Sequence, residues 1–555
     1  SIEPDFMTED DEFNAAHPDL PTYRDLYLLT FKLASKFGTP YYDNQLPAYR
    51  GAGKGISCYQ CLAEDELVSL ADPEGQIRVK QISEIFSEAE EYGKETDPFG
   101  VEFVPFQGRT PSVNFDTLEA SLKDFNGVMR LRYEGELLKI VLKSGRRIRV
   151  TPNHPVYVLD KGNFTKKQAC DLRVGDFLPV LKDADFGSPP LASIDVEMAL
   201  LNSGYADEII VQGGSVNVRH AKKPGLPKDI AITSELVRFL GYYLAEGCSD
   251  QSGRRYSVRL SFGKHESELI DDATACIKCL GFEPKISEEK TATNVVVNSK
   301  LLYLLIDALG CGHNAHTKSV PDLLFNVDPS LVGQYICCAF RGDGNVNVQK
   351  GELNGRAHHA HVIRIRLVSR DAVQRLIWLA QRIGVQMNYM ARDEIVKHPQ
   401  TKDPYRLASY TCYITSQDQI GSFYSRTGYG ECAVSDDRRE VGGVFTRIPI
   451  EEAKIEHSNL KYTSQYRSQG HKCVNQLHVD SSDTPMIERL IGGDVHVLEV
   501  RDIEVEEYDG YVYDLVDVSD THNFSNAMGI VTGNCCAYQF AATFESDAAF
   551  EDKLY

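Results

Sequence analysis

At 555 residues the chain is too long for one hydrophobic core, and a usual domain size of about 150 residues predicts three or four domains. Its 80 Asp+Glu outnumber 59 Lys+Arg for a net charge of −21, which argues against nonspecific nucleic-acid binding by the whole surface. Fourteen scattered cysteines in a large chain, no run of about 18 apolar residues and no basic-then-apolar start speak against a disulfide scaffold, a transmembrane helix and a secretion signal. The expectation is a soluble cytoplasmic protein with no membrane partner. Charge is nevertheless segregated: residues 231–400 hold 20 Lys+Arg against 18 Asp+Glu, leaving 39 against 62 elsewhere, so a DNA-binding surface is expected there.

Residues 1–60 carry a helical pattern over Tyr23 to Phe37, then Gly38-Thr-Pro-Tyr-Tyr-Asp-Asn, then a glycine-rich turn before Ser57-Cys58-Tyr59-Gln60. From Cys61 to about 200, short alternating runs such as Leu67-Val-Ser-Leu, Gln76-Ile-Arg-Val-Lys, Leu137-Leu-Lys-Ile-Val-Leu and Arg147-Ile-Arg-Val predict strands of an all-β domain. The stretch from Ser87 to Asn126 breaks that pattern with acidic, glycine and proline residues and reads as an inserted excursion. Thr151-Pro-Asn-His154-Pro and Leu172-Arg-Val-Gly-Asp176 follow, and residues 201–230 read as a connector. The β pattern resumes only at about His496, so one β domain is split by a central insertion.

The insertion repeats itself. Phe239-Leu-Gly-Tyr-Tyr-Leu-Ala-Glu-Gly247, a strand Ser257 to Phe262 and a helix ending Cys279-Leu-Gly281 are followed, about 97 residues on, by a second copy. That copy runs Ile336-Cys-Cys-Ala-Phe-Arg-Gly-Asp-Gly344, a strand Val362 to Leu367 and a helix ending Arg382-Ile-Gly384. Two copies of this size suggest two halves rather than a solenoid. Alternation puts Ile363, Ile365 and Leu367 on one strand face and Arg364 and Arg366 on the other; Val258, Leu260 and Phe262 oppose Arg259 in the same way, with Arg254 and Arg255 nearby. Residues 401–495 add strand-like runs such as Leu407 to Ile414 and polar loops, read as an extension or accessory region.

The last run, Val512-Tyr-Asp-Leu-Val through Thr521-His-Asn-Phe to Gly529-Ile-Val-Thr-Gly-Asn534, stops against Cys535. An asparagine abutting a thiol residue can cyclise through its side-chain amide and cut the backbone after itself. Together with Cys61-Leu-Ala-Glu-Asp-Glu-Leu-Val, this ending resembles an intein running from Cys61 to Asn534. The resemblance implies an all-β, horseshoe-shaped Hint domain (61–200 and 496–534) that splices without a cofactor. It assigns Cys61 as the first nucleophile, Thr151 and His154 as activators of the Gln60–Cys61 amide, Asp514 as a tuning acid, His522 as assistant to Asn534, and Cys535 as the second nucleophile. One position departs: inteins usually carry His immediately before the terminal Asn, and here that residue is Gly533.

The repeated insertion, 231–400, resembles LAGLIDADG homing endonucleases, which implies an α+β, pseudo-two-fold domain, monomeric, cleaving double-stranded DNA at an intein-less host gene site. Glu246 and Asp343 hold the family's acidic positions at the helix feet and would bind Mg²⁺, Lys318 matches its basic residue, and Gly241 and Cys338 fall where the helices pack closely. Arg254, Arg255, Arg259, Arg364, Arg366 and Arg370 are the expected DNA contacts. Glu246, the Tyr242-Tyr243 pair and Arg341 depart from the family pattern, so a nuclease decayed to DNA binding alone is the alternative. Cys276 and Cys279 read as two cysteines on one helix rather than half a zinc site, and His358, His359 and His361 as loop residues. Joined in thought, the flanks 1–60 and 535–555 give Ser57-Cys-Tyr-Gln-Cys-Cys-Ala-Tyr-Gln-Phe, which with Gly38 to Asn44 resembles anaerobic ribonucleoside-triphosphate reductases; nothing here corresponds to their glycyl-radical site, so the flanks read as short host remnants.

Overall fold

The computed structural model of the protein describes residues 61–72, 75–96, 101–221, 225–353, 356–397, 403–430, 443–454, 473–476 and 485–534. The readings made on residues 1–60 and 535–555, including Cys535, lie outside the described residues.

The outer β domain is built on a nine-stranded sheet. Its spine is a long antiparallel pairing of Glu119–Leu142 with Val495–Val516, running from Leu142 opposite Val500 to Gly127 opposite Val516, with a bulge at Arg501. Alternation along the first strand buries Leu138, Ile140 and Leu142 on one face, against Leu62, Ile148, Val150, Leu515 and Phe524. The short strand Leu62–Ala63 is wedged between Tyr513 and Val150. A second, four-stranded sheet orders Asn523–Ser525, Val531–Gly533, Pro155–Asp160 and Asn163–Gln168, so the final residues of the domain lie beside the strand that follows His154.

The stretch expected to be an excursion is instead part of the main sheet. It opens on the last residues of the amphipathic helix Ile82–Ala89, which buries Ile82, Ile85, Phe86 and Ala89, and forms the strand Glu102–Asn114, paired with Glu119–Leu142. The residues that broke the pattern mark a bulge: the register shifts between Pro105 and Gly108, where proline and glycine fit an irregular ladder.

The insertion holds two four-stranded sheets of like order, first-second-fourth-third. One comprises Gly247–Ser252, Arg255–Gly263, Lys285–Glu288 and Ala292–Val297; the other Gly344–Leu353, Arg356–Leu367, Asn388–Lys397 and Pro404–Ile414. A helix leads straight into each: Ser234–Glu246, capped by the Thr233 side chain, and Pro329–Asp343, capped by Asp328 with proline in its first turn. The two helices cross so closely that a methyl group on Gly241 would stand 2.5 Å from the Tyr335 carbonyl and 2.9 Å from Cys338 Cβ, and one on Gly342 would stand 2.5 Å from Ala245 Cβ. The second half runs past 400: the helix Gln417–Thr427 lies against the second motif helix, with Phe423 5.0 Å from Phe340 ring to ring. The three histidines expected in a loop belong to the strand Arg356–Leu367. The connector also begins earlier than 201; Ser193–Asp195 pairs with Asp229–Ala231, and Val196, Leu200, Ile209, Val216 and Leu226 pack on Leu301, Leu304 and Leu305.

The two parts share one apolar cluster, in which Val79, Val113 and Leu181 of the outer domain meet Phe325, Leu376 and Trp378 of the insertion. Polar groups stitch the same boundary. Asn326 accepts from the Ile77 N–H (2.6 Å) and donates to its carbonyl (2.8 Å), imitating a neighbouring strand. The wholly buried Arg146 donates to the Met528 carbonyl (2.9 Å), Gln386 Oε1 (2.7 Å) and the Met387 carbonyl (3.2 Å).

Candidate functional site: a splicing junction and a paired carboxylate centre

Cys61 is completely buried at the head of the wedged strand. Its N–H donates to Thr151 Oγ1 at 3.0 Å, while the Thr151 N–H donates to the Cys61 carbonyl at 2.9 Å. Thr151 therefore grips both backbone groups of Cys61. The tight turn Thr151-Pro-Asn-His154, closed by His154 N–H to the Thr151 carbonyl at 3.0 Å, brings the imidazole into the same buried site. Continuing the Leu62–Tyr513 register by one residue sets Cys61 opposite Asp514. Burial pushes the Cys61 thiol well up, and the Asp514 carboxylate adds to that, so the thiolate is disfavoured unless a base takes its proton.

The far end of the domain returns to this point. Asn534 is buried, and its N–H reaches the His522 carbonyl at 3.3 Å; Tyr157 donates to the same carbonyl at 3.3 Å. His522 holds a left-handed backbone (φ 51°), which turns the chain between the strands Val495–Val516 and Asn523–Ser525. Asn523 anchors that turn by accepting from Ser112 Oγ (2.9 Å) and the Val113 N–H (2.9 Å). Thr532 places its hydroxyl 2.6 Å from His154 Nε2. Sequence reasoning missed Thr532 and Asn523, because threonine in a strand and asparagine at a turn carry no chemical signature.

The family model of the intein splicing domain matches residues 68–534. The chain belongs to the intein splicing-domain family. It is similar to an uncharacterised protein of Methanocaldococcus jannaschii, 26% identical over 318 residues that cover 46% of this intein-bearing chain and 35% of that protein. It is also similar to a DNA polymerase of Thermococcus kodakarensis, 21% identical over 608 residues, 90% of this chain and 34% of that one. The chain thus spans about a third of the length of these two relatives. Among solved structures it resembles the PabCDC21-1 intein (25% identity, TM-score 0.20, 22% of this chain and 73% of that one). It also resembles I-DmoI in complex with DNA and Mn (12% identity, TM-score 0.24, 36% and 98%).

Within the intein's insertion, Glu246 and Asp343 end the two motif helices. Burial, then the charge of Asp343 and of Glu266, pushes the half-buried Glu246 carboxyl up to about 7. Asp343, exposed at its helix foot, is also raised, by desolvation first. Lys318 is buried beside them and donates to the Ala245 carbonyl at 2.7 Å; desolvation lowers its ammonium while both carboxylates oppose that. Glu266, which sequence reasoning did not single out, is the third charge in this field. Two mutually repelling carboxylates fit a hard divalent cation, although no group of three or more His, Cys, Asp or Glu stands together among the described residues, so phosphate and water oxygens would have to complete the shell.

The sheet faces are more mixed. Arg254 and Arg255 sit exposed at a hairpin turn, and Arg259 and Arg364 are exposed on their strands, Arg259 touching Cys248 Sγ at 3.2 Å. Arg366, also exposed, is held by Ser409 Oγ (2.7 Å) and Glu394 (3.0 Å). Arg370 is engaged within the protein. Standing at the start of the helix Arg370–Gln381, it pairs with the Asp65 carboxylate at 2.5 Å and the Asp65 carbonyl at 2.8 Å, and Asp65 in turn binds Arg149 at 2.6 Å. Its guanidinium ties the insertion to the splicing domain four residues from Cys61, a bond that the expectation of a DNA contact did not foresee. Cys276 is buried and Cys279 exposed on one helix, both as free thiols. Among the described residues no helix is long and apolar enough to cross a membrane.

Proposed function

We propose that the chain splices itself, excising residues 61–534 and joining Gln60 to Cys535. The observation that carries this is the double grip of Thr151 on the Cys61 backbone, at the head of the turn that bears His154 and with Asp514 opposite in register. The Cys61 thiol attacks the Gln60 carbonyl carbon; the C–N bond breaks, the nitrogen takes a proton by way of His154, and a thioester forms. Cys535 exchanges onto that thioester and frees the Cys61 thiol. The Asn534 side-chain amide then attacks its own carbonyl, releasing Cys535 as the intein ends in a succinimide, and an S-to-N shift restores an amide. Intact mass after incubation of the purified chain is the test. Release of a 61–534 species with an 81-residue ligated product, lost in Cys61→Ala and Asn534→Ala, supports the proposal; a chain that stays at 62.1 kDa in every condition refutes it.

The insertion reads as a homing endonuclease whose two halves are related by a pseudo-two-fold axis, supported by two like-ordered sheets, each entered from a motif helix that ends in a carboxylate. Glu246 and Asp343 would hold Mg²⁺, which when bound polarises a phosphate and lowers the pKa of a water. Lys318 holds positive charge against that centre, and Arg254, Arg255, Arg259 and Arg364 face the DNA backbone and major groove. Cleavage of DNA carrying the uninterrupted host junction, with Mg²⁺ and the Asp343→Asn control, separates an active nuclease from one that only binds. The flanks as reductase remnants, and a monomeric state, are part of the same proposal.

A further inference from the structure

The His154 imidazole is addressed from the opposite end of the intein. Thr532, two residues before the cyclising Asn534, lies on the strand Val531–Gly533, which is held between Phe524 and Val156. Its buried hydroxyl makes two contacts, 2.6 Å to His154 Nε2 and 3.2 Å to the Pro155 carbonyl. A hydroxyl has one proton and two lone pairs. A carbonyl only accepts, so with the Thr532 proton directed to Pro155 the hydroxyl oxygen accepts from His154. That requires a proton on Nε2 and leaves Nδ1 as the nitrogen that exchanges protons in the neutral ring.

We infer that Thr532 is a positioning residue for the first step of splicing: its hydroxyl fixes His154 in the Nε2–H tautomer and so reserves the Nδ1 lone pair for proton exchange in that step. The inference rests on the splicing reading for its kinetic consequence, though the tautomer itself does not. Because Thr532 belongs to the strand that delivers Asn534, the basic nitrogen that takes up and returns a proton in the N-terminal step is set only once the C-terminal strand is docked. No bond to Thr532 forms or breaks.

The test uses the full chain with Asn534→Ala, which halts the reaction before cyclisation, bearing Thr532, Thr532→Val or Thr532→Ser. Side-chain ¹⁵N spectra assign the His154 tautomer, and thiol-induced cleavage after Gln60 gives the rate of the first step. The expected result is Nε2–H with Thr532 and with Thr532→Ser, and a mixed or Nδ1–H population in Thr532→Val with cleavage slowed about tenfold or more, within the range a misdirected acid–base group produces. Thr532→Val has nearly the parent's shape, so a slowed variant with an unchanged tautomer, or no rescue by serine, overturns the inference. An Nδ1–H ring in the parent overturns it whether or not the chain cleaves. A chain with the expected tautomers that never cleaves leaves the tautomer assignment standing and refutes the splicing reading instead.

Discussion

Gly533 invites a simple repair, the return of the histidine that inteins usually carry before the terminal asparagine, and the structure predicts that the repair fails. A Cβ on residue 533 would stand 2.6 Å from Pro155 Cγ, 2.9 Å from Pro155 Cβ and 3.0 Å from the Pro155 carbonyl oxygen. Proline cannot rotate away, and its carbonyl also takes the Thr532 hydroxyl, so the strand bearing Asn534 must move instead. Overpacking of this kind costs about 1–3 kcal/mol. The expected outcome for Gly533→His, in a splicing-dead Cys61→Ala, Asn534→Ala background, is a lower thermal midpoint; in the active chain it is no gain in cleavage after Asn534. Adding Pro155→Ala restores part of the stability, because the clash is between two touching residues and their effects couple by roughly 0.5–3 kcal/mol. A Gly533→His chain as stable as the parent, with faster asparagine cyclisation, would refute this reasoning.

Removing the Arg146 guanidinium by Arg146→Leu strands three acceptors, and at about 1–3 kcal/mol for each buried unsatisfied group the fold loses on the order of 3 kcal/mol or more, read as a fall in the midpoint of both domains together. The Glu246 carboxyl, held at about 7 against an ordinary 4.5, binds its proton more tightly folded than unfolded, so its contribution to stability declines as pH rises from 4.5 to about 7 and is then flat. Glu246→Gln should therefore be more stable than the parent above pH 7, with little difference near pH 4; equal pH profiles would contradict the crowding of the two carboxylates. Salt titration of DNA binding distinguishes the arginines: Arg364→Ala lowers the slope of log affinity against log salt by about one, whereas Arg370→Ala leaves the slope unchanged and lowers the thermal midpoint.

Residue type alone announces the junction, because few chemical tasks other than splicing join a strand-leading Cys, Thr-x-x-His, and an Asn before Cys in that order. The alternation that put Ile363 and Ile365 inside and Arg364 outside is equally legible, since strand period and burial act on neighbouring residues. What could not be read depends on residues far apart in the chain. Arg370 follows an arginine-bearing strand and looks like its continuation, yet its partner, Asp65, lies 305 residues away. Thr532 gains its importance only from a pairing with Val156 that local patterning does not encode. Pro105 and Gly108 disguised a strand because a bulge looks, in sequence, like the end of one.

The shared apolar cluster bears on how such an element ages. The proposed DNA chemistry would rest on a few side chains at the motif-helix feet, and these can be lost one at a time with the fold intact. Deleting the insertion is another matter: it would turn Val79, Val113 and Leu181 toward water and leave the Ile77 backbone without the Asn326 side chain that satisfies it. The insertion therefore serves as scaffolding whether or not it cuts DNA, and a shortened form needs compensating surface changes on the splicing domain rather than excision alone.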